Sequence, residues 1–119
     1  MTNSLNFTII EGRVTRTADL LYTQNGNALC KFDLAVNESY KVDTEYKTVT
    51  SFVTINIWGK YGESLAQHLE KGTPIRVIGS IKQNNWEDKD GNKRSDLYVC
   101  ASTVDFLDWN KNKEERKNA

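Results

Sequence analysis

The chain has 119 residues, of which 38% are hydrophobic and 27% are charged, so it is long enough for one folded domain with a buried core. Its 16 basic residues balance its 16 acidic residues, which excludes a strong overall attraction to nucleic acid or to an acidic membrane. No apolar run reaches the length of a membrane span, and the first residues lack the pattern of a secretory signal. We therefore expect a cytoplasmic protein.

Three strands are predicted in the first half of the chain. Residues 5–15 alternate imperfectly and contain Gly12, which suggests a bulge or a sharp bend at a barrel corner. After an Asn-Gly turn dipeptide, residues 28–37 show one apolar face. A polar stretch over residues 38–47 separates this strand from a third one at residues 48–58, in which every second residue is apolar.

The period changes after the third strand. Residues 59–72 carry apolar side chains at four-residue spacing, which predicts a short helix with Gly72 as its C-cap. A fourth strand is predicted over residues 75–86 and a fifth over residues 94–107, joined by a turn that contains an Asp-Gly dipeptide.

Five strands with one short helix between the third and the fourth are the element order of an all-β, Greek-key OB-fold barrel. Alternating β-α units are excluded because only one helix is predicted. We expect the barrel domain to span residues 1–107, followed by a polar tail at residues 108–119 that frays or is disordered. Cys30 and Cys100 are predicted to be buried thiols rather than a disulfide.

Catalytic and metal-binding patterns are weak. The sequence has one histidine, His68, and no G-x-S-x-G motif, so a nucleophilic triad finds little support. One histidine without a Cys-x-x-Cys pair does not make a zinc site. Residues 88–92 resemble part of a calcium loop but lack its other acidic ligands, and they are interpreted as a hairpin tip. We expect no enzyme activity, no cofactor and no metal.

Several aromatic residues share strand faces with polar or basic neighbours instead of joining the apolar stripes. They are Tyr40, Phe52, Trp58 and Trp86. Phe7, Phe32 and Phe106 are predicted to be core residues. One exposed ring could cover a barrel end or a subunit interface, but four rings favour a surface on which nucleic-acid bases stack.

The segments GRVTR, NGNALCKFDLAVNESY, TSF, WGK, LEKG and NNWEDKDGNKR together resemble the bacterial single-stranded DNA-binding protein family over residues 5–107. The resemblance implies an OB fold, a homotetramer and sequence-tolerant binding that protects single-stranded DNA in replication, repair and recombination. It places the stacking positions on Tyr40, Phe52, Trp58 and Trp86. A further aromatic position of the family falls on His68, which we interpret as a surface residue of the helix.

A set of basic residues is expected to contact the DNA backbone, with less support for each: Lys41, Lys60, Lys82, Lys93 and Arg94. Two positions that are often basic in the family are Asn84 and Asn85 here, so we expect a shallow salt dependence. The resemblance also implies that the N-terminal strand contacts another subunit. The family's acidic C-terminal tip has no counterpart in these residues. We therefore expect a short variant and do not assume recruitment of replication and repair enzymes through a tail.

Two other interpretations remain open. A dimeric primosomal replication protein would share the OB fold, and a dimer by native mass would favour it over a tetramer. An OB or small β-barrel module that binds protein or oligosaccharide is the alternative from another class. It predicts no change in tryptophan fluorescence when single-stranded DNA is added.

Overall fold

The computed structural model describes residues 3–108, which form strands and one short helix. The elements in chain order are β1 (Thr8–Val14), β2 (Asp19–Tyr22), β3 (Ala28–Val42), β4 (Glu45–Trp58), α1 (Gly59–Ala66), β5 (Pro74–Glu87) and β6 (Lys93–Phe106). The predicted tail, apart from residue 108, lies outside the described residues.

Five of the strands close into a barrel in the order β1-β5-β6-β4-β3, because β1 pairs with both β5 and β3. The β3–β4 and β5–β6 hairpins are antiparallel, whereas β4 and β6 lie parallel to each other. Strand β2 was not predicted from the sequence. It pairs with the start of β3, along the same edge of β3 with which β1 pairs a few residues later. The predicted Greek-key OB barrel is confirmed, with β2 as an addition.

The barrel closes where β1 bends from one neighbour to the other. Arg13 is the last residue of β1 to pair with β5 and the first to pair with β3. A Cβ atom on Gly12 would lie 2.3 Å from the carbonyl oxygen of Ala35, so the two backbones approach too closely for any side chain at this position. Gly12 therefore marks the predicted corner, whereas the break in register between β5 and β6 lies at Ile78 and Gly79.

The core fills the barrel from the inward faces of all five strands. Ile55 and Ile57 of β4 are completely buried, together with Phe32 of β3. The prediction that Phe7 and Phe106 are core residues is wrong, because both are exposed. Phe7 precedes β1 and has the parity of the exposed Ile9, opposite to that of the buried Val14. Phe106 lies opposite the buried Ile75, but it is the last residue of β6, at the end of the barrel.

The helix is shorter than predicted. It ends at Ala66, and the buried Leu69 lies in the turn that follows. The carbonyl of Leu69 accepts a hydrogen bond from Ala18 of the β1–β2 connection, which takes the chain out of the helical pattern. Gly72 is therefore not the C-cap. Its φ of 89° instead belongs to a turn in which its N–H donates to the carbonyl of Val14.

Both central hairpins extend beyond the barrel as ribbons. The polar residues 38–47 belong to β3 and β4, which stay paired up to Val42 and Glu45. Asp43 makes the turn with a φ of 56°, in the left-handed region that Asp tolerates. No helix within residues 3–108 is both long enough and apolar enough to cross a membrane. Cys30 is a buried thiol and Cys100 a partly buried one, and neither forms a disulfide.

Candidate nucleic-acid interface

The outward face of the β3–β4 hairpin carries polar pairs that satisfy each other across the two strands. These pairs are Thr54 Oγ1 to Asp33 Oδ1 at 2.9 Å, Thr50 Oγ1 to Asn37 Oδ1 at 2.6 Å, and Ser39 Oγ with Thr48 Oγ1 at 3.1 Å. Their hydrogen bonds link the two strands and satisfy these polar side chains within the hairpin. The large apolar side chains on the same face are therefore the groups that lack protein partners.

Phe52 and Trp58 project from this face. Phe52 is 69% exposed and lies opposite Ala35, whose methyl group is too small to cover the ring. Trp58 ends β4 opposite Leu29. Six residues of strand place the two rings roughly 20 Å apart, since each residue of an antiparallel strand rises about 3.4 Å. The predicted grouping of Phe52 and Trp58 agrees with the structure.

A groove of about 240 Å³ runs beside Trp58, where the outward faces of β3, β4, β5 and β6 meet. Tyr98 of β6 lines it together with Lys31 and Asp96, so one cation and one carboxylate face the same space. Tyr98 thus adds a second ring to the groove, and its cross-strand neighbour Lys82 lies on the same outward face of the β5–β6 hairpin. Neither Tyr98 nor Lys31 is among the residues predicted from the sequence to contact DNA.

Asn56 also lines this groove and is unusual for its position. It lies between Ile55 and Ile57 on β4, is only 9% exposed, and pairs along the backbone with Cys100 of β6. Within residues 3–108 its Oδ1 atom has no hydrogen-bond partner. Leaving a buried polar atom unpaired costs about 1–3 kcal/mol, so a residue of this kind needs an explanation.

Trp86 and Arg94 form a cross-strand pair on the outward face of the β5–β6 ribbon. The Nε of Arg94 donates to Asp88 Oδ2 at 2.9 Å, while Asp88 Oδ1 accepts from the backbone N–H groups of Asp90 and Asn92. These hydrogen bonds lower the pKa of Asp88. The bond from the Asn92 backbone contributes most to this shift, and the bond from Arg94 contributes next. The guanidinium is thereby held beside Trp86 with four further N–H groups for other acceptors.

The pairing register separates Tyr40 from the other predicted rings. β3 and β4 pair without interruption from Leu29–Trp58 to Val42–Glu45. Tyr40 therefore shares its face with the inward-pointing residues of β3, on the opposite side of the ribbon from Phe52. Tyr46 has the same parity as Phe52, lies opposite Lys41 and is exposed. The outward face thus carries a ring at Tyr46, Phe52 and Trp58, at intervals of six residues.

Two of the predicted basic residues lie elsewhere. Lys93 pairs with Glu87 on the face of the ribbon opposite to Trp86. Lys60 lines a separate cavity of about 660 Å³ between β2 and α1, which also contains Glu63. The hydroxyl of Tyr22 hydrogen-bonds Glu63 across this region, and partial burial together with the carboxylate raises the pKa of Tyr22. His68 is exposed and lies after the helix, with its ring edge-on to Phe106.

Residues 5–107 match the model of the single-strand binding protein family. The chain belongs to this family. Curated relatives of this chain include the single-stranded DNA-binding protein of Treponema pallidum, 37% identical over 103 residues, and single-stranded DNA-binding protein 2 of Clostridium acetobutylicum, 38% identical over 108 residues. The matches cover 87% and 90% of this chain. They span 58% of the Treponema protein and 80% of the Clostridium protein.

The fold is also shared with solved structures of family members. A complex of the Plasmodium falciparum SSB with single-stranded DNA aligns with a TM-score of 0.80 at 26% identity, covering 91% of this chain and 99% of that one. A deletion variant of the Thermus aquaticus single-stranded DNA binding protein aligns with a TM-score of 0.77 at 29% identity, covering 88% of this chain and 51% of that one. The whole described barrel is therefore common to these proteins.

Proposed function

We propose that this protein binds single-stranded DNA with little sequence preference and protects it during replication, repair and recombination. The single observation that supports this most strongly is the row of exposed rings on one barrel face, where neighbouring polar groups are already paired with each other. A ring under an unpaired base contributes about 1–3 kcal/mol whatever the base is. The family match and the DNA complex of the Plasmodium relative agree with this function.

Phe52, Trp58 and Trp86 are the proposed stacking residues. Lys82 and Arg94 lie on the same outward surface and are the best placed of the predicted cations to contact phosphates. Lys41 lies on this face too, at the far end of the β3–β4 ribbon.

Contacts by Tyr40, Lys60 and Lys93 would require the DNA to leave this face and pass around the barrel. We retain them as secondary candidates. Tyr46 and Tyr98 are added, because the first follows the row of rings along β4 and the second lines the groove beside Trp58.

We further propose a homotetramer as the working form, with a dimer as the alternative, located in the cytoplasm and associated with the nucleoid. Leu5, Phe7 and Ile9 are exposed before and within β1, which leaves an apolar strip for contact with a second copy. The proposed domain is residues 1–107. Recruitment of replication and repair enzymes stays open, since no described residue identifies a docking site for them.

The test is a titration with oligo-dT at two salt concentrations, followed by tryptophan fluorescence. A Trp109→Phe background removes the tryptophan that lies outside the described residues, so that Trp58 and Trp86 report alone. Quenching that is reduced in Trp58→Ala and in Trp86→Ala would support the assignment. An absence of quenching and of any mobility shift at low salt would contradict it, and would favour a barrel that binds protein or oligosaccharide.

A further inference from the structure

The groove beside Trp58 contains a polar group that stacking alone does not explain. Asn56 is 9% exposed, lines the groove, and has an Oδ1 atom without a hydrogen-bond partner in the described part of the chain. The other polar side chain that β4 contributes to the groove, Thr54, already donates to Asp33. The Oδ1 atom of Asn56 is thus a buried acceptor of the groove that no described residue satisfies.

The position itself favours a different residue. Asn56 lies near the end of β4, and its side chain shares the outward face with Thr54 and Trp58, yet it is only 9% exposed. A covered strand position of this kind favours a β-branched apolar side chain. Replacing a buried unpaired amide by an apolar group of similar size is close to neutral or stabilising. Stability therefore does not account for an asparagine here, whereas a ligand that donates a hydrogen bond to its Oδ1 atom would.

The chemistry of the groove identifies the group that would fit. Asn56 and Trp58 are two residues apart on the same strand face, which places them about 7 Å apart along β4. A base stacked on the Trp58 ring would present its edge to the neighbouring side chain. An amide offers one acceptor and two donors, and rotation about its broad terminal torsion exchanges the positions of oxygen and nitrogen. It can thus pair with the adjacent donor and acceptor on a Watson–Crick edge.

We propose that Asn56 hydrogen-bonds the Watson–Crick edge of the base that stacks on Trp58, so that this subsite requires an unpaired base edge as well as an aromatic surface. The inference rests on the proposed function and deepens it. It implies that the site excludes a base whose edge is blocked, even when that base still stacks. Discrimination between paired and unpaired bases is then built into the barrel at this position.

The experiment compares oligo-dT with the same oligomer carrying N3-methylthymine. The methyl group removes the N3–H donor and blocks the edge but leaves the ring that stacks. We expect wild-type protein to bind the methylated oligomer about tenfold more weakly, as for a site that loses one hydrogen bond to a buried polar group. Asn56→Leu should bind both oligomers within about twofold of each other. Asn84→Leu, which removes an amide from another strand lining the same groove, should keep the tenfold difference.

The variants separate this role from a structural one. Asn56→Leu and Asn56→Val should melt at the wild-type temperature or above it, because each removes a buried acceptor, Oδ1, that has no partner in the described part of the chain. A tenfold difference that persists in folded Asn56→Leu or Asn56→Val would overturn the proposal, and so would its loss in Asn84→Leu alone. A lower melting temperature in both Asn56 variants would also overturn it. Failure of wild-type protein to bind either oligomer would instead refute the proposed function.

Discussion

The substitution Phe52→Ala tests whether the exposed ring serves binding or folding. Phe52 is 69% exposed, so about a third of the side chain is covered by neighbours. An aromatic side chain buries about 150–250 Å² when fully covered, so the covered part is roughly 50–80 Å². At about 25 cal/mol per Å², its loss should lower the free energy of unfolding by about 1–2 kcal/mol at most.

The expected effect on DNA binding is as large or larger. A stacked base contributes about 1–3 kcal/mol, which corresponds to about a 5- to 150-fold loss of affinity for oligo-dT. Stacking releases no counterions, so the slope of log affinity against log salt should stay at the wild-type value in Phe52→Ala. By contrast, Lys82→Ala should reduce the magnitude of that slope by about 0.7 if Lys82 neutralises one phosphate.

The assay is a fluorescence titration at several salt concentrations, since Phe52→Ala keeps every tryptophan. Unfolding in urea is measured on the same protein samples. Phe32→Ala is the matched control, because the same chemical change in the completely buried ring should cost about 3–5 kcal/mol of stability. Affinity within twofold of wild type in Phe52→Ala would refute the stacking role. A loss of stability as large as that of Phe32→Ala would show that the ring belongs to the core.

Three further predictions concern the β3–β4 ribbon, the core thiol and the break in register between β5 and β6. Tyr46→Ala should weaken binding of long oligo-dT about fivefold more than Tyr40→Ala, since only Tyr46 shares the outward face with Phe52. Equal losses of affinity would contradict the assignment of Tyr46 and Tyr40 to opposite faces of the ribbon. Burial, with a smaller contribution from a nearby carboxylate, raises the pKa of Cys30 from 9.0 to about 11. The thiol ionises at a lower pH in the unfolded chain than in the folded one. The free energy of unfolding, unaffected by this group below pH 9, should therefore fall by about 2–3 kcal/mol as the pH rises from 9 to 11. Cys30→Ala should lack that part of the pH dependence in urea unfolding curves. Gly79→Ala should cost about 3 kcal/mol or more, because its Cβ would lie 2.1 Å from the carbonyl oxygen of Cys100, and thermal unfolding would measure the loss.

The barrel could be predicted from the sequence because its strands alternate strictly wherever one face is buried. Residues 28–37 and 48–58 show this clearly, and both lie within the strands of the structure. β2 was not predictable, since its four residues are all exposed and it forms only by pairing with β3. The outer parts of the ribbons were missed for a related reason. Both faces meet solvent beyond the barrel, so alternation between apolar and polar residues disappears there.

The site was predictable only as far as parity could be counted along one strand. Phe52, Trp58 and Trp86 satisfy that condition, and the structure places all three on outward faces. Tyr40 does not, because its face depends on whether β3 continues without a bulge through a polar stretch. The burial of Asn56 depends on a contact between residues that are still further apart in the sequence. This residue is buried because β6 runs parallel to β4 beside it, and no local pattern encodes that contact.

The charges around the rings indicate which kind of interaction contributes most to the affinity for single-stranded DNA. Arg94 is held by Asp88, Lys93 lies opposite Glu87, and the groove beside Trp58 contains Asp96 as well as Lys31. Arg94 and Lys31 thus each have a carboxylate close by, in keeping with the zero net charge of the chain, whereas Lys82 and Lys41 lie opposite tyrosines. A phosphate must compete with these carboxylates, so a contact with Arg94 or Lys31 releases less free energy than one with an isolated cation would. Ring stacking and the hydrogen-bonding capacity of Asn56 have no such competitor on this face. Affinity should therefore depend more on whether the bases are unpaired than on how many phosphates the protein neutralises.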